Sequence, residues 1–395
     1  MMEGQPLQTH CTPRQFEFQG PGRREIVARF DGGRISSDGG LPLLSEVDRR
    51  RRIVERFATC FEDSREPGSV EHSVEELLRQ RLYALACGYE DLNDHDELRS
   101  DALLAAVVGK RDPEGRERKR ERDRGAALAG KSTLHRLEWG VAGQADEDRY
   151  RRIAISAEAV DRFFVDVFLD SHASPPDKIV LDLDATDDPL HGEQEGRFFH
   201  GYYGHYCYLP LYVFCGRHLL CARLRRSNID AAAGSVEEVD RIVGQIRQRW
   251  PRVEIWLRAD SGFAREELMA WCEANGVEFV LGLARNSRLQ ARLAPALERA
   301  HELGEETGKP VRVFAEWQHE NLKTWCRKRR VIGKAEITHK GETHRFIVTS
   351  LQGDAREIYE TIYCARGDME NRIKEQQLDL FATRTPGRLM RVNQI

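Results

Sequence analysis

The sequence lacks the features that mark secreted, membrane-spanning or zinc-binding proteins. Its nine cysteines form no C-x-x-C pair and no Cys/His cluster with zinc spacing, so we expect buried thiols in a reducing compartment. No apolar run approaches the roughly 18 to 20 residues of a membrane helix, and the start MMEGQPLQTHCTPRQ has no signal-peptide core. These absences predict a cytoplasmic protein without a membrane partner.

An excess of charge of one sign is also absent. The 395 residues carry a net charge of only -4, yet basic residues are concentrated at 49–52, 116–124 and 327–330. Such segregation permits a polyanion-binding face without a basic isoelectric point. The alternative for each cluster is a solvated, ion-paired helix surface. The length allows two or three domains with a full core.

The first part of the chain favours helices. Residues 1–30 show little periodicity and predict a partly ordered arm. From 31 to 172 the pattern is helical, with a helix starting near Pro42 and a capping box formed by Ser73 and Glu76 ahead of EELLRQRLYALACGY. We therefore predict a helical N-terminal region that precedes the rest of the fold.

One stretch in this region matches the phosphate-binding loop pattern G-x-x-x-x-G-K-[ST]. It runs from Gly125 to Ser132. The motif works only where a buried strand delivers the loop to a helix N-terminus, and the preceding RERKRERDR cannot be a core strand. The context therefore predicts a basic linker before a helix, with no bound nucleotide.

Two aspartates interrupt the apolar strand pattern KIVLDLD that begins at Lys178. Its β-branched and aliphatic residues predict a buried strand, from which Asp182 and Asp184, two positions apart, project on the same side. A carboxylate at the end of a buried strand requires protonation, a basic partner or a bound cation. The pattern therefore predicts a partner for both aspartates and leaves its identity open.

From this strand onward the segments alternate in type. They read as three strands, a helix capped by Ser235 and Glu238, a strand, a helix and a strand. This order is the ribonuclease H-like arrangement, and it predicts an α/β catalytic core with a mixed sheet over 173–284 and 351–395. In that arrangement Asp184 lies beside Asp260, and two close carboxylates favour a shared divalent cation.

Residues 285–350 interrupt this core. The segments VRVFAEWQH, RRVIGKAEITHKG and THRFIVTSL alternate apolar and polar residues between turn residues, which predicts a β-rich insertion carrying the 327–330 cluster.

A long amphipathic helix is predicted from Ala355 to Leu380. At 100° per residue, one stripe faces the sheet and consists of Ile358, Ile362, Ala365, Met369 and Ile373. A second stripe consists of Tyr363, Arg366, Glu370, Lys374 and Gln377. Glu375 points to the opposite side, so the geometry selects Glu370 as the carboxylate that reaches the aspartates. The alternative is a surface pair of Arg366 with Glu370.

These residues together resemble the DDE transposases of bacterial insertion sequences. The resemblance rests on LDLDATDDPLHG, GRFFHGYYGHYCYLPLYVFCG, LRADSGFAREELMAWCEANGVEFVLGLARN and the Tyr363, Arg366, Glu370 spacing. SSDGGLPLL, GYEDLNDHDELR and ALAGKSTLHRLE in the N-terminal half make it similar to the IS-thirteen-eighty group in particular. It covers nearly the whole chain.

The resemblance implies a DNA transposase whose catalytic, metal-binding triad is Asp184, Asp260 and Glu370. Asp184 is chosen because Asp-Ala-Thr at 184–186 matches the first-aspartate motif, with Asp182 as the fallback. Two Mg²⁺ ions, with Mn²⁺ as a substitute, would activate a water and then a 3′-hydroxyl for attack on phosphodiesters. One site would thus both cut and join DNA.

The implied partners are terminal inverted repeats and target DNA, bound by a homodimer in a synaptic complex at the nucleoid. The helical region 31–172 is expected to bind DNA. The individual side chains expected to contact DNA are Tyr363, Arg366, Lys374, Arg327, Lys328, Arg329 and Arg330. Lys374 appears among them because the family's lysine position holds Gln377 here.

Two further expectations concern the chain end and the aromatic segment. The family continues through further helices beyond FATRTPGRLMRVNQI, so the alternative function is an inactive or truncated remnant that recognises terminal inverted repeats without catalysis. A general nuclease of the same fold is a third candidate. The aromatics between Phe198 and Phe214 are expected to fill the sheet core, with Tyr202 and Tyr203 near a turn as candidates for contact with a base or sugar.

Overall fold

The computed structural model describes residues 15–19, 25–29, 36–140, 152–321 and 324–394. Of the predicted arm at 1–30, the strands β1 (Gln15–Gln19) and β2 (Glu25–Arg29) are described and pair antiparallel, and the rest lies outside the described residues. In these ranges no helix is both long and apolar enough to cross a membrane. The chain divides into two compact units, at 1–160 with 379–381 and at 161–378 with 382–395.

The first unit is mainly helical, as the sequence predicts for this region. Besides β1 and β2 it contains the short antiparallel strands β3 (Phe61–Asp63) and β4 (Ile153–Ile155). Its helices are α1 (Leu41–Arg51), α2 (Ile53–Ala58), α3 (Val74–Ala86), α4 (His95–Leu98), α5 (Ala102–Val108) and α6 (Lys131–Glu138). Their apolar faces, including Leu77, Leu104 and Leu134, form one buried cluster.

Local signals in this unit fold as predicted. The Ser73 hydroxyl accepts from the Glu76 N–H and the Glu76 carboxylate accepts from the Ser73 N–H, which confirms the capping box. The stretch that matches the phosphate-binding loop follows a short 3₁₀ turn at Glu121–Asp123, with no strand before it. The Asp96 carboxylate accepts the Lys131 N–H at 3.3 Å, so a carboxylate of the chain itself already lies at the start of α6.

The second unit is built on an eight-stranded mixed sheet in the order β10-β9-β5-β11-β12-β15-β14-β13. The strands are β5 (Lys178–Ala185), β9 (Leu211–Cys215), β10 (His218–Arg223), β11 (Glu254–Ala259), β12 (Glu278–Leu283), β13 (Val311–His319), β14 (Arg329–Thr338) and β15 (Gly341–Thr349). The strands β5, β11 and β12 run parallel, and the others pair antiparallel with their neighbours.

Helices cover one face of this sheet. They are α7 (Ala157–Asp170), α8 (Ser235–Arg249), α9 (Glu266–Ala274) and α10 (Ser287–Thr307). Leu181, Leu183, Leu257 and Ala259 are buried with the apolar side chains of these helices. Because strand side chains alternate between faces, the residues between and after them project to the other side.

The predicted cap of α8 is wrong. Gly234, at φ 76°, holds the N-cap position and contributes no side-chain bond, so Ser235 is already the first helical residue. The Glu238 carboxylate instead accepts from Arg223 and Arg241. Ion pairs available only in the tertiary fold therefore compete with the local capping box.

The aromatic segment forms more strands than predicted. It was expected to contribute one strand of the core, but only its second half does so, as β9. The first half joins a separate three-stranded sheet in the order β6-β8-β7, made of β6 (Asp188–Pro189), β7 (Phe198–His200) and β8 (His205–Tyr208). Tyr208, Tyr212 and Phe214 are buried as expected, whereas Phe199 and Tyr202 are exposed.

Candidate active site

Asp184 and Asp260 lie side by side at one edge of the main sheet. The parallel register pairs Asp182 with Arg258 and Leu183 with Ala259, so Asp184 is adjacent to Asp260 at the carboxyl ends of β5 and β11. Since Leu181, Leu183, Leu257 and Ala259 face α7–α10, both aspartates project to the opposite face. The adjacency expected from the order of elements is therefore present.

The Asp182 carboxylate is paired with a basic side chain. Its two oxygens accept from Arg258 Nε at 2.5 Å and Nη2 at 2.8 Å, and both residues are buried. The remaining Arg258 nitrogen, Nη1, donates to the Ile362 carbonyl at 2.5 Å. Burial raises the pKa of Asp182, and Arg258 opposes that effect. This bidentate pair therefore connects β5 and β11 to the segment that carries Glu370.

That segment, predicted as one amphipathic helix, is helical but irregular. It consists of α11 (Ala355–Glu357), a π-helical turn (Ile358–Tyr363), a 3₁₀ turn (Cys364–Arg366) and α12 (Gly367–Asp379). The π and 3₁₀ turns break the 100° spacing, and Ala365 of the predicted sheet-facing stripe is exposed. Ile358, Met369 and Ile373 of that stripe are buried against the sheet. π turns of this kind recur at functional sites.

Arg366 connects the third carboxylate, Glu370, to Asp184. Its Nη2 donates to Glu370 Oε1 at 2.6 Å and its Nη1 to Asp184 Oδ2 at 3.3 Å. The predicted pair of Arg366 with Glu370 therefore forms, but it is not confined to the surface, because the same guanidinium also contacts Asp184. Glu375 instead pairs with Arg372.

The electrostatics of the site favour a cation. The pKa of Asp184 is raised to about 6, mainly by burial; Arg366 opposes this rise, and the Asp260 and Glu370 carboxylates contribute to it. In the described ranges no group of three or more His, Cys, Asp or Glu side chains is arranged to hold a metal ion. The Arg366 guanidinium is instead the positive charge between Asp184 and Glu370. Carboxylate oxygens are nevertheless the ligands that Mg²⁺ prefers, so the donor set fits that ion chemically.

Tyr363 and Lys374 occupy different environments. The Tyr363 hydroxyl packs against Gly282, where a β-carbon would lie only 2.6 Å from it. Burial raises the pKa of Tyr363, and the nearby Asp260 contributes to the rise. Lys374 is exposed on α12. Lys374 therefore presents a positive charge to solvent, whereas the neutral Tyr363 hydroxyl packs against β12.

The 327–330 cluster divides into residues enclosed by the fold and residues exposed to solvent. The Arg329 side chain is only 2% exposed and donates to both Glu266 and Glu273. Arg330 bonds to Glu316 and to the carbonyls of Leu351 and Gly353. The side chains of Arg327 and Lys328 are 62% and 63% exposed. These two therefore remain accessible to a phosphate, whereas Arg329 is enclosed by carboxylates.

Sequence reasoning missed the pairing of Arg258 with Asp182 and the burial of Asp188. Arg258 is visible in the sequence only as the residue two before Asp260, and its pairing follows from the strand register. Asp188 is 3% exposed, and its Oδ1 has no hydrogen-bond partner among the described residues. Burial, with a smaller contribution from Asp187, raises the pKa of Asp188 from 3.8 to about 7.

Replacing Asp188 by asparagine is expected to stabilise the protein at pH 8. A folded pKa above the unfolded value means that the contribution of Asp188 to stability is complete below about pH 4 and is lost as the pH rises through about 7. The uncharged amide escapes this loss, a difference on the order of 4 kcal/mol at pH 8. Urea unfolding from pH 4 to 8 in the presence of a chelator measures it. Parallel curves for wild type and Asp188→Asn would contradict the prediction.

Comparison with known proteins finds a family match over nearly the whole chain. The family described as Transposase DDE domain group 1 matches residues 18–395. No curated protein matches the chain significantly. Among solved structures, a cryo-EM structure of the piggyBac transposase synaptic complex with hairpin DNA is similar at 12% identity and a TM-score of 0.40, over 89% of this chain and 73% of that chain. Because the family match spans nearly the whole sequence, this chain belongs to the transposase DDE domain family, group 1.

Proposed function

We propose that the chain is a DNA transposase of the IS-thirteen-eighty group of bacterial insertion sequences. It cleaves at the ends of the element and joins the 3′-hydroxyl to target DNA, with Asp184, Asp260 and Glu370 as the catalytic residues. The observation that carries this proposal is the connection of these three carboxylates through the strand register and Arg366. Asp184 and Asp260 are neighbours in the parallel register, and Arg366 bonds to both Asp184 and Glu370.

We infer further that the core is ribonuclease H-like. This inference is supported by the order β10-β9-β5-β11-β12, in which three antiparallel strands are followed by two that run parallel to β5. In that reading the catalytic core comprises 173–284 and 351–395. Residues 285–350 form the insertion, in which the strands β13–β15 extend the same sheet and α10 packs against them. Residues 31–172 are the proposed helical DNA-binding region.

The carboxylates would hold two divalent cations, Mg²⁺ or Mn²⁺. When bound, these ions supply Lewis-acid activation of an attacking oxygen and stabilisation of the leaving oxygen. We assign this role to Asp184 rather than Asp182, because both Asp182 oxygens are already used by Arg258. Asp260 is held by the Gly262 N–H, which donates to its Oδ1 at 2.8 Å.

The side chains around the carboxylates position DNA. Arg366 lies between two carboxylates, Asp184 and Glu370, which would hold the metal ions, and its guanidinium is placed to bind a phosphate next to the cut. The exposed Lys374 is one turn after Glu370 on α12 and two turns after Arg366, on the same side. Tyr363 packs behind them and fixes the segment against β12. A homodimer would bring two such sites to a pair of ends in the synaptic complex.

Arg327→Ala with Lys328→Ala is expected to weaken DNA binding without unfolding the protein. Their ion pairs with Glu273 at 3.4 Å and Glu320 at 3.8 Å are exposed and contribute little stability. Loss of two phosphate contacts lowers the slope of log affinity against log salt concentration by about 2. Fluorescence anisotropy with end DNA at several salt concentrations measures the slope.

Arg329→Ala provides the matched comparison for this experiment. Because its guanidinium is buried between Glu266 and Glu273, its removal lowers the melting temperature. An unchanged salt slope in the double variant would show that this part of the insertion does not contact DNA.

The proposed activity is tested with a supercoiled plasmid that carries the two ends of the element. With Mg²⁺ the protein is expected to cut at the ends and to join them to a second DNA molecule. Cutting without dependence on the end sequence would identify a general nuclease. End-specific binding without any cutting, in both the wild type and a triad variant, would identify a non-catalytic remnant.

A further inference from the structure

An exposed aromatic hairpin lies next to the candidate active site. The strands β7 and β8 pair Phe199 with Tyr206 across a turn from Gly201 to Gly204. Phe199 is 59% exposed, Tyr206 45% and Tyr202, in the turn, 86%. Large aromatic side chains of this kind are usually buried, so a cluster of them in solvent marks a binding surface.

The rings are held in place rather than loosely exposed. Phe199 and Tyr206 meet edge to face at 5.7 Å, and the Arg197 guanidinium lies 4.8 Å above the Tyr206 ring. Tyr202 meets Tyr203 edge to face at 5.0 Å. Each such pair favours its observed ring orientation over others. The outer ring faces are therefore available to a flat partner.

The base of the hairpin is anchored to the core. Tyr208 at the end of β8 is fully buried, and its hydroxyl donates to the Glu195 carbonyl at 2.6 Å. The Ser227 hydroxyl donates to the Phe198 carbonyl at 3.0 Å. The strand β6 pairs Asp188 with Tyr208, only four residues after Asp184. A rigid base thus fixes the position of the exposed rings relative to Asp184.

Contacts also connect the hairpin to the carboxylate edge. The His205 Nε2 lies 2.7 Å from Asp187 Oδ2. The pKa of Tyr203 is raised to about 12, mainly by burial, and the nearby Asp187 and Asp184 carboxylates contribute to the rise. The rings therefore border the place where the proposed function requires the scissile strand of DNA.

The chemistry of the hairpin favours a nucleobase as the occupant. The sequence from Arg197 to Tyr206, RFFHGYYGHY, supplies aromatic rings, histidines and an arginine but no aliphatic side chain. A protein-docking patch normally includes aliphatic residues, whereas aromatic rings with arginine are typical of surfaces that stack unpaired bases. Within a duplex each base is covered by its stacked neighbours, so the ligand that fits three rings is a strand whose end is unpaired.

We propose that Phe199, Tyr202 and Tyr206 stack unpaired nucleobases of the DNA end beside the cleavage site. This proposal rests on the proposed function, since it assumes that the carboxylate edge receives a DNA end. The hairpin thereby selects ends that are frayed or opened next to the scissile phosphate. Arg197 stabilises the stack through its contact with Tyr206.

The test measures binding without catalysis. The full chain in a chelator is titrated with an end duplex that carries a three-base single-stranded overhang containing 2-aminopurine, and with the blunt duplex. Wild type is expected to bind the overhang DNA about tenfold more tightly and to quench the fluorescent base. Tyr202→Phe keeps a ring and retains both effects. Tyr202→Leu keeps apolar volume without a ring and loses both, with an unchanged melting temperature because position 202 is exposed.

The outcomes separate this proposal from the proposed function. Equal binding of overhang and blunt DNA, or equal quenching by Tyr202→Leu and wild type, would overturn the stacking proposal even if wild type cuts the ends. Sedimentation that reports a dimer in wild type and a monomer in Tyr202→Leu would overturn it in favour of a contact between two copies of the chain. Overhang preference in a protein that never cuts would leave stacking intact and reject the transposase activity.

Discussion

Asp184→Asn is expected to abolish end cleavage while leaving the protein folded. The proposed site depends on three carboxylates, and an amide at 184 lacks the charge needed to share a divalent cation. The cleavage rate is expected to fall at least about a thousandfold, equivalent to roughly 4 kcal/mol in the barrier. Single-turnover cleavage of a labelled end duplex in Mg²⁺ measures this fall.

Stability distinguishes this loss of chemistry from a loss of fold. Burial raises the pKa of Asp184 to about 6, so its charge is unfavourable in the metal-free protein at neutral pH. Asp184→Asn is therefore expected to melt at the same temperature or higher. Asp260→Asn and Glu370→Gln should show the same loss of cleavage, whereas Glu375→Gln, on the opposite side of α12, serves as the active control. Substantial cleavage by Asp184→Asn would reject the proposed triad.

The sequence predicted the parts of the fold that depend on local pattern and strand order. The strand KIVLDLD, the capping box of Ser73 with Glu76 and the placement of Asp184 beside Asp260 each follow from periodicity or from the succession of elements. The choice of Glu370 over Glu375 as the carboxylate nearer the aspartates used only the 100° spacing, and Arg366 now connects Glu370 to Asp184. The catalytic roles of these residues remain proposals.

The features that the sequence did not reveal depend on contacts between distant segments. Glu238 joins Arg223 and Arg241 instead of capping α8, because those cations reach it only in the folded sheet. The π-helical turn before Arg366 carries no sequence signal, and its Ile362 carbonyl bonds to Arg258 from another strand. The exposed rings of the hairpin belong to the same residue types, phenylalanine and tyrosine, as the buried rings of β9. Alternation alone cannot distinguish a core strand from a hairpin that leaves the sheet.

Asp182→Ala is expected to act through stability, in contrast to Asp184→Asn. Removing the carboxylate leaves the Arg258 guanidinium buried without its partner, which costs roughly 3 kcal/mol or more in the free energy of unfolding. Cleavage should fall as well, because Arg258 also holds the Ile362 carbonyl ahead of Arg366 and Glu370. Urea unfolding together with single-turnover cleavage measures both effects.

The double variant Asp182→Leu with Arg258→Met separates the two contributions of this pair. Apolar side chains of similar size remove the charge from the interior, so stability is expected to return to within about 1 kcal/mol of wild type. Cleavage is expected to stay low, since methionine cannot donate to the Ile362 carbonyl and Glu370 loses its support. If Asp182→Ala instead lost cleavage with unchanged unfolding, Asp182 would be a metal ligand itself. The assignment of the first catalytic aspartate would then move from Asp184 to Asp182.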